Sequence, residues 1–180
     1  MTQHTAPGTP EFLKSRIRHV PDFPKPGILF RDITPLLRCP ATLRLAIEML
    51  AAPYRDAPVS VVAGMEARGF IFGTLVAATL DVGFVPLRKP GKLPHDVHSV
   101  SYDLEYGSAS LEAHTDAVKP GERVLLVDDL LATGGTCKAS CDLVERLGGE
   151  VLACTFLVEL DALAGRSRLG ERAVHSLLHY

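Results

Sequence analysis

Apolar positions along this chain follow two rhythms. Leu43, Ala46, Ile47 and Leu50 recur at helical spacing, which predicts an amphipathic helix over 41–52. Beyond it, short apolar runs alternate with helix-forming stretches. The runs at 59–63, 84–87, 124–127, 151–158 and 174–178 predict strands, and 69–80 predicts a buried helix. A further helix is expected over about 136–147, stopped by Gly148 and Gly149. That order argues an α/β fold, with a central parallel five-stranded sheet, helices on both faces and right-handed crossovers. Upstream, Thr9 and Pro10 open a short helix over 11–18. Pro21, Pro24, Pro26 and Gly27 then interrupt regular structure before a short extended piece at 28–30. Between Lys89 and Lys119 the pattern lapses into Pro, Gly, Ser, His and Asp, with room for a hairpin over 100–113. A segment of that length in a compact domain is usually functional or mobile.

Composition narrows the class. The chain has 180 residues, enough for one domain with a real core. Hydrophobic residues make up 47% and charged ones 22%, the balance of an ordinary globular protein. A net charge of −2 gives no global attraction to nucleic acid or anionic membrane, so any basic site must be local. The apolar run 70–80 is too short to span a bilayer, and residues 1–10 read as a loose polar tail without an apolar signal core. Cys39, Cys137, Cys141 and Cys154 show no paired C-x-x-C spacing, which argues against a zinc site. Cys137 and Cys141, one helical turn apart, should pack as small apolar thiols. Reduced cysteines and a polar start point to the cytoplasm.

The chemistry concentrates in Val124 to Thr136, VLLVDDLLATGGT. Four apolar residues form a strand buried on both faces and lead into Asp128 and Asp129. Carboxyl ends of strands are where open α/β sheets bind ligands. Ala132, Thr133, Gly134, Gly135 and Thr136 can then wrap successive backbone N–H groups around an anion at the next helix start. Either half alone reads as a helix cap or an ordinary turn. In unbroken order, a diol-binding acid pair beside a phosphate nest calls for a ribose 5-phosphate. The run is neither a Walker loop nor a dinucleotide fingerprint, since Gly-Lys-Ser/Thr and G-x-G-x-x-G are both absent.

Two further segments face the same crevice. Arg68, in Gly64-Met65-Glu66-Ala67-Arg68-Gly69-Phe70, sits among apolar neighbours, a costly place for a charge without an anionic partner. The plainer reading is a salt bridge from Arg68 to Glu66; the Asp-Asp run favours pyrophosphate. Arg88, Lys89 and Lys92 gather three cations at the end of the second strand. Such a cluster is by default a solvated turn, yet here it could neutralise a departing pyrophosphate. Glu105, in the long loop, could shuttle a proton once that loop closes over a reacting base.

The Val124–Thr136 run resembles the 5-phosphoribosyl-1-pyrophosphate (PRPP) motif of the type I phosphoribosyltransferases. Three further groups of residues tighten the likeness to adenine phosphoribosyltransferases. They are Pro21 to Gly27 with Phe30-Arg31-Asp32-Ile33, Glu66 to Phe70, and Arg88 to Pro94 with Ser101 to Gly107. They follow the family order and cover the chain from about residue 12 onwards. The resemblance implies a single phosphoribosyltransferase domain over 1–180, with a hood segment at 12–35 and a mobile loop at 89–107. It implies that adenine and PRPP give AMP and pyrophosphate, with Mg2+, in a cytoplasmic homodimer serving purine salvage, with no nucleic acid or membrane partner.

Carried over, Asp128 and Asp129 hold the ribose hydroxyls, Asp129 touching the metal if any protein group does. Ala132 to Thr136 bind the 5-phosphate. Arg68, Lys89 and Lys92 meet the pyrophosphate, and Arg88 reaches PRPP in the partner subunit. Leu29 and Arg31 read the adenine edge through their backbone, Phe30 packs on the ring, and Leu160 lines its other side. Glu105 becomes the catalytic carboxylate. His95-Asp96-Val97-His98 departs from the small and polar residues expected after Pro94. The rival readings are the same chemistry on hypoxanthine, guanine or xanthine, and a PRPP- or nucleotide-sensing regulator without turnover. The hood segment opposes the first. The second usually needs a DNA-binding module, for which residues 1–20 are too short.

Overall fold

The computed structural model describes residues 8–103 and 108–180, which fall into two compact units, one ending at Met49 and one spanning Leu50–Tyr180. In the first unit, α1 (Pro10–Lys14) starts where Thr9 accepts a hydrogen bond from Phe12 N at 3.2 Å. The helix expected to reach residue 18 stops early, because Ser15 turns its hydroxyl onto Phe12 O at 2.7 Å. The chain from Arg18 is needed elsewhere. Strand β1 (Arg18–Pro21) pairs antiparallel with β2 (Leu29–Asp32), with His19 opposite Arg31 and Val20 opposite Phe30. The prolines and Gly27 occupy the connection, where Asp22 accepts from Gly27 N at 2.7 Å. Helix α2 (Thr34–Arg38), unanticipated in the sequence, carries Pro35 in its first turn. Its Leu36 carbonyl accepts from Thr42 Oγ1 at 2.7 Å, tying it to α3 (Pro40–Ala51).

The second unit is the expected parallel sheet. Its strands are β3 (Val61–Met65), β4 (Gly83–Leu87), β7 (Arg123–Leu131), β8 (Glu150–Glu159) and β9 (Val174–His179). Their order is β4-β3-β7-β8-β9 and every pairing is parallel. The hairpin expected over 100–113 is β5 (Val97–Asp103) with β6 (Ser108–His114). Strand β3 begins later than the sequence suggests and runs on through Gly64. Its register is set by Val61 opposite Val124, and Ser60 N already donates to Arg123 O.

Each face of the sheet has its cover. Ala63, Met65, Leu87, Leu126 and Phe156 share a core with Cys137, Cys141 and Val144 of α5 (Gly135–Arg146) and with Leu111 and Ala113 of the hairpin. On the other face lies α4 (Gly69–Leu80), with the bounds read from the sequence. Its approach is close because two glycines flank the Phe84 ring. A Cβ on Gly64 or on Gly73 would come within 2.7 Å of that ring. All four cysteines are free thiols, and the Cys137, Cys141 and Cys154 sulfurs lie within 4.8 Å of one another in the core.

Among the described residues no helix is long and apolar enough to cross a membrane. Gly64→Ala should force the ring or α4 outward and cost about 1–3 kcal/mol, as overpacking does. Urea unfolding of the variant beside the parent protein measures it, and equal midpoints would show that the ring yields freely.

Candidate active site

Strand β7 outlasts one of its neighbours. Pairing with β3 ends at Gly64 opposite Val127, whereas pairing with β8 continues through Asp128 opposite Phe156 to Leu131 opposite Glu159. The acid pair therefore lies on the strand, four-residue runs of apolar sequence notwithstanding, where one strand edge has lost its partner. The loop leading into α4 fills that edge. A Cβ on Gly69 would sit 2.8 Å from Asp128 Oδ1 and 2.9 Å from Val127 O, so only glycine permits this approach. The preceding Arg68 donates from Nε to Asp129 Oδ2 at 2.5 Å. The anion that Arg68 needed is thus supplied by the protein, and it is Asp129 rather than Glu66.

Burial and the neighbouring Asp129 charge hold the Asp128 carboxyl well above the usual carboxylate range. Arg68 stays firmly charged: burial works against it, and the Asp129 carboxylate outweighs that.

Beyond Leu131 the chain bends into a recess lined by Asp128, Ala132, Thr133, Gly135, Thr136 and Phe156. Gly134 takes φ +81, a left-handed conformation that suits glycine, and starts α5 without any side-chain cap. No side chain of the N-cap residue claims the first N–H groups of α5, and Gly135, Thr136 and Cys137 of that helix line the recess. Thr136 Oγ1 lies 3.3 Å from the Tyr102 hydroxyl, linking the loop to the hairpin.

Glu66 organises the cations. Its Oε2 accepts from Lys89 N at 3.0 Å, its Oε1 accepts from Lys92 Nζ at 3.1 Å, and Arg88 Nε makes a charge contact at 3.4 Å. The Lys89 N–H, ahead of Lys92 and Arg88, holds the Glu66 carboxyl below its ordinary range against the effect of burial. Arg88 also bridges Glu112 through its backbone, and Gly91 N donates to the Glu112 carboxylate at 2.9 Å, so the basic turn is pinned to the hairpin. Sequence reasoning missed the role of Glu66 as this hub and the steric need for Gly69. The Glu-Ala-Arg-Gly-Phe run held both, but single residues reveal neither partner.

Leu160 follows β8 directly and donates its N–H to Leu131 O at 2.9 Å, beside the recess. In the first unit, Leu29, Phe30 and Arg31 lie on β2, where Phe30 meets Phe23 edge-on at 5.1 Å and Leu29 is 46% exposed. Glu105 lies outside the described residues.

The phosphoribosyl transferase domain model matches residues 33–175. Adenine phosphoribosyltransferase from Methylococcus capsulatus is 68% identical over 168 residues, covering 93% of this chain and 98% of that protein. The chain belongs to the adenine phosphoribosyltransferase family. Among solved family members, the enzyme from Thermoanaerobacter pseudethanolicus superposes with a TM-score of 0.93 at 52% identity, covering 96% of this chain and 100% of that one. The Saccharomyces cerevisiae enzyme was solved with an imino-altritol bisphosphate and adenine. It superposes with a TM-score of 0.88 at 40% identity, covering 93% and 97% of the two chains. The type I fold expected from the sequence is the fold of this family.

Asp128 has a testable pH signature. Its folded-state pKa lies above the unfolded value, so the folded protein binds the extra proton. Its contribution to stability therefore falls as pH rises from the ordinary carboxylate range through the raised value. Asp128→Asn should flatten that part of the stability–pH curve, as read by denaturant unfolding at a series of pH values. An unchanged slope would place the proton elsewhere.

Proposed function

We propose that the protein transfers the 5-phosphoribosyl group of PRPP to N9 of adenine, giving AMP and pyrophosphate. The meeting of Asp128 with the Ala132–Thr136 cradle in one recess, with Asp129 next to it on the same strand, carries this reading. The adenine held by the yeast relative supports the choice of base. The family match crosses both compact units, which supports reading 1–180 as one phosphoribosyltransferase domain.

The N–H groups of Ala132 to Thr136 bind the 5-phosphate, a doubly charged group suited to a helix start that no side chain caps. Asp128 and Asp129 accept hydrogen bonds from the ribose hydroxyls. Arg68, Lys89 and Lys92 bind the pyrophosphate, Arg68 and Lys92 exchanging Asp129 and Glu66 for its oxygens, and Arg88 serves the partner protomer of a homodimer. As the bond from ribose C1 to the pyrophosphate oxygen lengthens, these cations stabilise the negative charge that gathers on the leaving group. The carboxylates lie near the sugar, where positive charge grows. Adenine N9 attacks C1 from the opposite face, and its ring proton leaves with help from Glu105. The family resemblance assigns the amino-pyrimidine edge to the backbone of Leu29 and Arg31, and ring contacts to Phe30 and to Leu160. A 6-oxo base would leave polar groups there unpaired.

The donor set suits Mg2+. Two carboxylates crowd each other, Asp128 is pushed towards its neutral form by that crowding and by burial, and a hard divalent cation relieves such repulsion. Among the described residues, the clusters able to ligate an ion through three side chains are Cys137, Cys141 and Cys154, and Glu159, Asp161 and His179. Neither includes the acid pair. An Mg2+ ion would be held mainly through PRPP and water, with Asp129 as the candidate protein ligand, and would supply screening of the pyrophosphate charge. Cytoplasmic purine salvage is the setting we assign.

Incubating the protein with labelled adenine, PRPP and Mg2+ should yield labelled AMP, and adenine should outcompete hypoxanthine and guanine. Retention of unreacted base would sink the assignment. Asp129→Asn should lower turnover by about 10²-fold or more, with the fold preserved by circular dichroism. Glu105→Gln should reduce kcat by roughly 10²-fold and leave PRPP affinity nearly unchanged. Equal kcat values in variant and parent would remove Glu105 from the proton transfer.

A further inference from the structure

Behind the cradle lie two short 3-10 turns, Asp161–Leu163 and Gly165–Leu169, which the mechanism does not use. Gly165 is buried with its bare backbone against the phosphate loop. A Cβ added there would overlap Ala132 O and stand 2.9 Å from Gly134 N. Reciprocally, a Cβ on Gly134 would overlap the Gly165 carbonyl oxygen. Gly165 is absent from the glycines with positive φ, so the demand for glycine at this position is one of space. Two backbones touch here with no side chain between them.

The turn carrying Gly165 is itself anchored. Arg166 donates from Nε and Nη2 to the two Glu159 oxygens at 3.1 and 2.6 Å, and from Nη1 to Val174 O at 2.7 Å. Glu159 ends β8, is 5% exposed, and stands in register with Leu131, the residue from which the cradle departs. Ser167 Oγ donates to Ala164 O at 2.7 Å, and Leu169 is fully buried. The wall is therefore fixed to the sheet by a two-pronged ion pair and by packing, both independent of the loop it supports.

We propose that Gly165 is a positioning residue for the reaction, its backbone forming the rigid rear wall that sets the curvature of the Ala132–Gly134 phosphate loop, with Arg166 on Glu159 holding that wall in place. The inference rests on the 5-phosphate reading of the loop given above. A methyl group at Gly165 must push the loop towards the ligand, spoiling the N–H directions at the phosphate while leaving the base contacts alone.

The test compares AMP with adenosine, which differ by the phosphate, in calorimetric or competition binding to the full-length protein. In Gly165→Ala the dissociation constant for AMP should rise roughly ten- to a hundredfold, the effect of a displacement near 1 Å, while that for adenosine holds. Steady-state rates should show the matching split, with KM for PRPP raised and KM for adenine unchanged. Arg166→Met frees the wall without adding an atom there, and should move the same ratio in the same direction by less; it carries the test if Gly165→Ala does not fold. Gly170→Ala is the control for general damage. It strains the same region at φ +63 with nothing within 4 Å of the new Cβ, so it should lower Tm and leave the AMP-to-adenosine ratio intact. A parental ratio in folded Gly165→Ala, or an equal loss in Gly170→Ala, overturns the proposal. If the parent protein itself fails to prefer AMP over adenosine, the phosphate reading of the loop falls first, which is a separate failure.

Discussion

The site exists because β7 is longer than the strand beside it. Where β3 stops pairing at Gly64, β7 continues along β8, and its free edge must find other partners. Unsatisfied strand groups are costly when buried. The chain answers by folding the start of α4 back into the gap. Gly69 lies against Val127 and Asp128 without a side chain, and Arg68 reaches Asp129. One mismatch in strand length thereby brings the Arg68–Asp129 pair to the strand edge, next to a recess lined by Asp128 and the start of α5. Shortening β7 to match β3 would remove all of them together.

Without substrate, Arg68, Arg88 and Lys92 already have carboxylate partners within the site. Arg68 is held by Asp129, and Glu66 gathers Lys92, Arg88 and the Lys89 N–H. The less exposed members of these pairs are the carboxylates Asp129 and Glu66. A buried carboxylate without a counter-ion would destabilise the fold, so such cross-pairing lets the protein keep a strongly charged site and stay folded. On the proposed roles, the cost of releasing these internal partners is set against each new contact with pyrophosphate, which makes net affinity smaller than the number of cations suggests and product release easier. Arg68 and Lys92 are both half-exposed, so water screens either pair and each contributes modestly.

Much of this was legible in the sequence, and what was not has a common cause. The sheet strands and both covering helices follow from periodicity, because each buries a regular stripe or run. The Asp-Asp and Thr-Gly-Gly-Thr segments announce themselves because their chemistry is contiguous. Of the β1–β2 ribbon only the extended piece that became β2 was legible; β1 was hidden, since His19-Val20 carries little signal beside a run of prolines. Helix α2 was hidden in turn by its brevity, five residues between Ile33 and Cys39. Gly69, Glu66 and Gly165 were opaque for a third reason. Each matters through a residue distant in the chain, and no local pattern distinguishes a glycine that avoids a clash from one that makes a turn.

The contrast between the phosphate loop and the basic turn reflects what each must do. The 5-phosphate lies far from the breaking bond and undergoes no chemistry, so its binding energy is useful only if it fixes where C1 sits. A loose cradle would bind the phosphate and still let the sugar wander, and misplacement on the scale of 1 Å costs about 10²-fold in rate. That explains why the loop is buttressed by backbone against backbone, the stiffest contact available, and why the buttress is tied to the sheet through Glu159 and Arg166. Arg68 and Lys92, which we assign to the leaving pyrophosphate, are held instead by side-chain ion pairs that can exchange partners. Rigidity lies where the substrate must stay, and exchangeable contacts lie where the product must go.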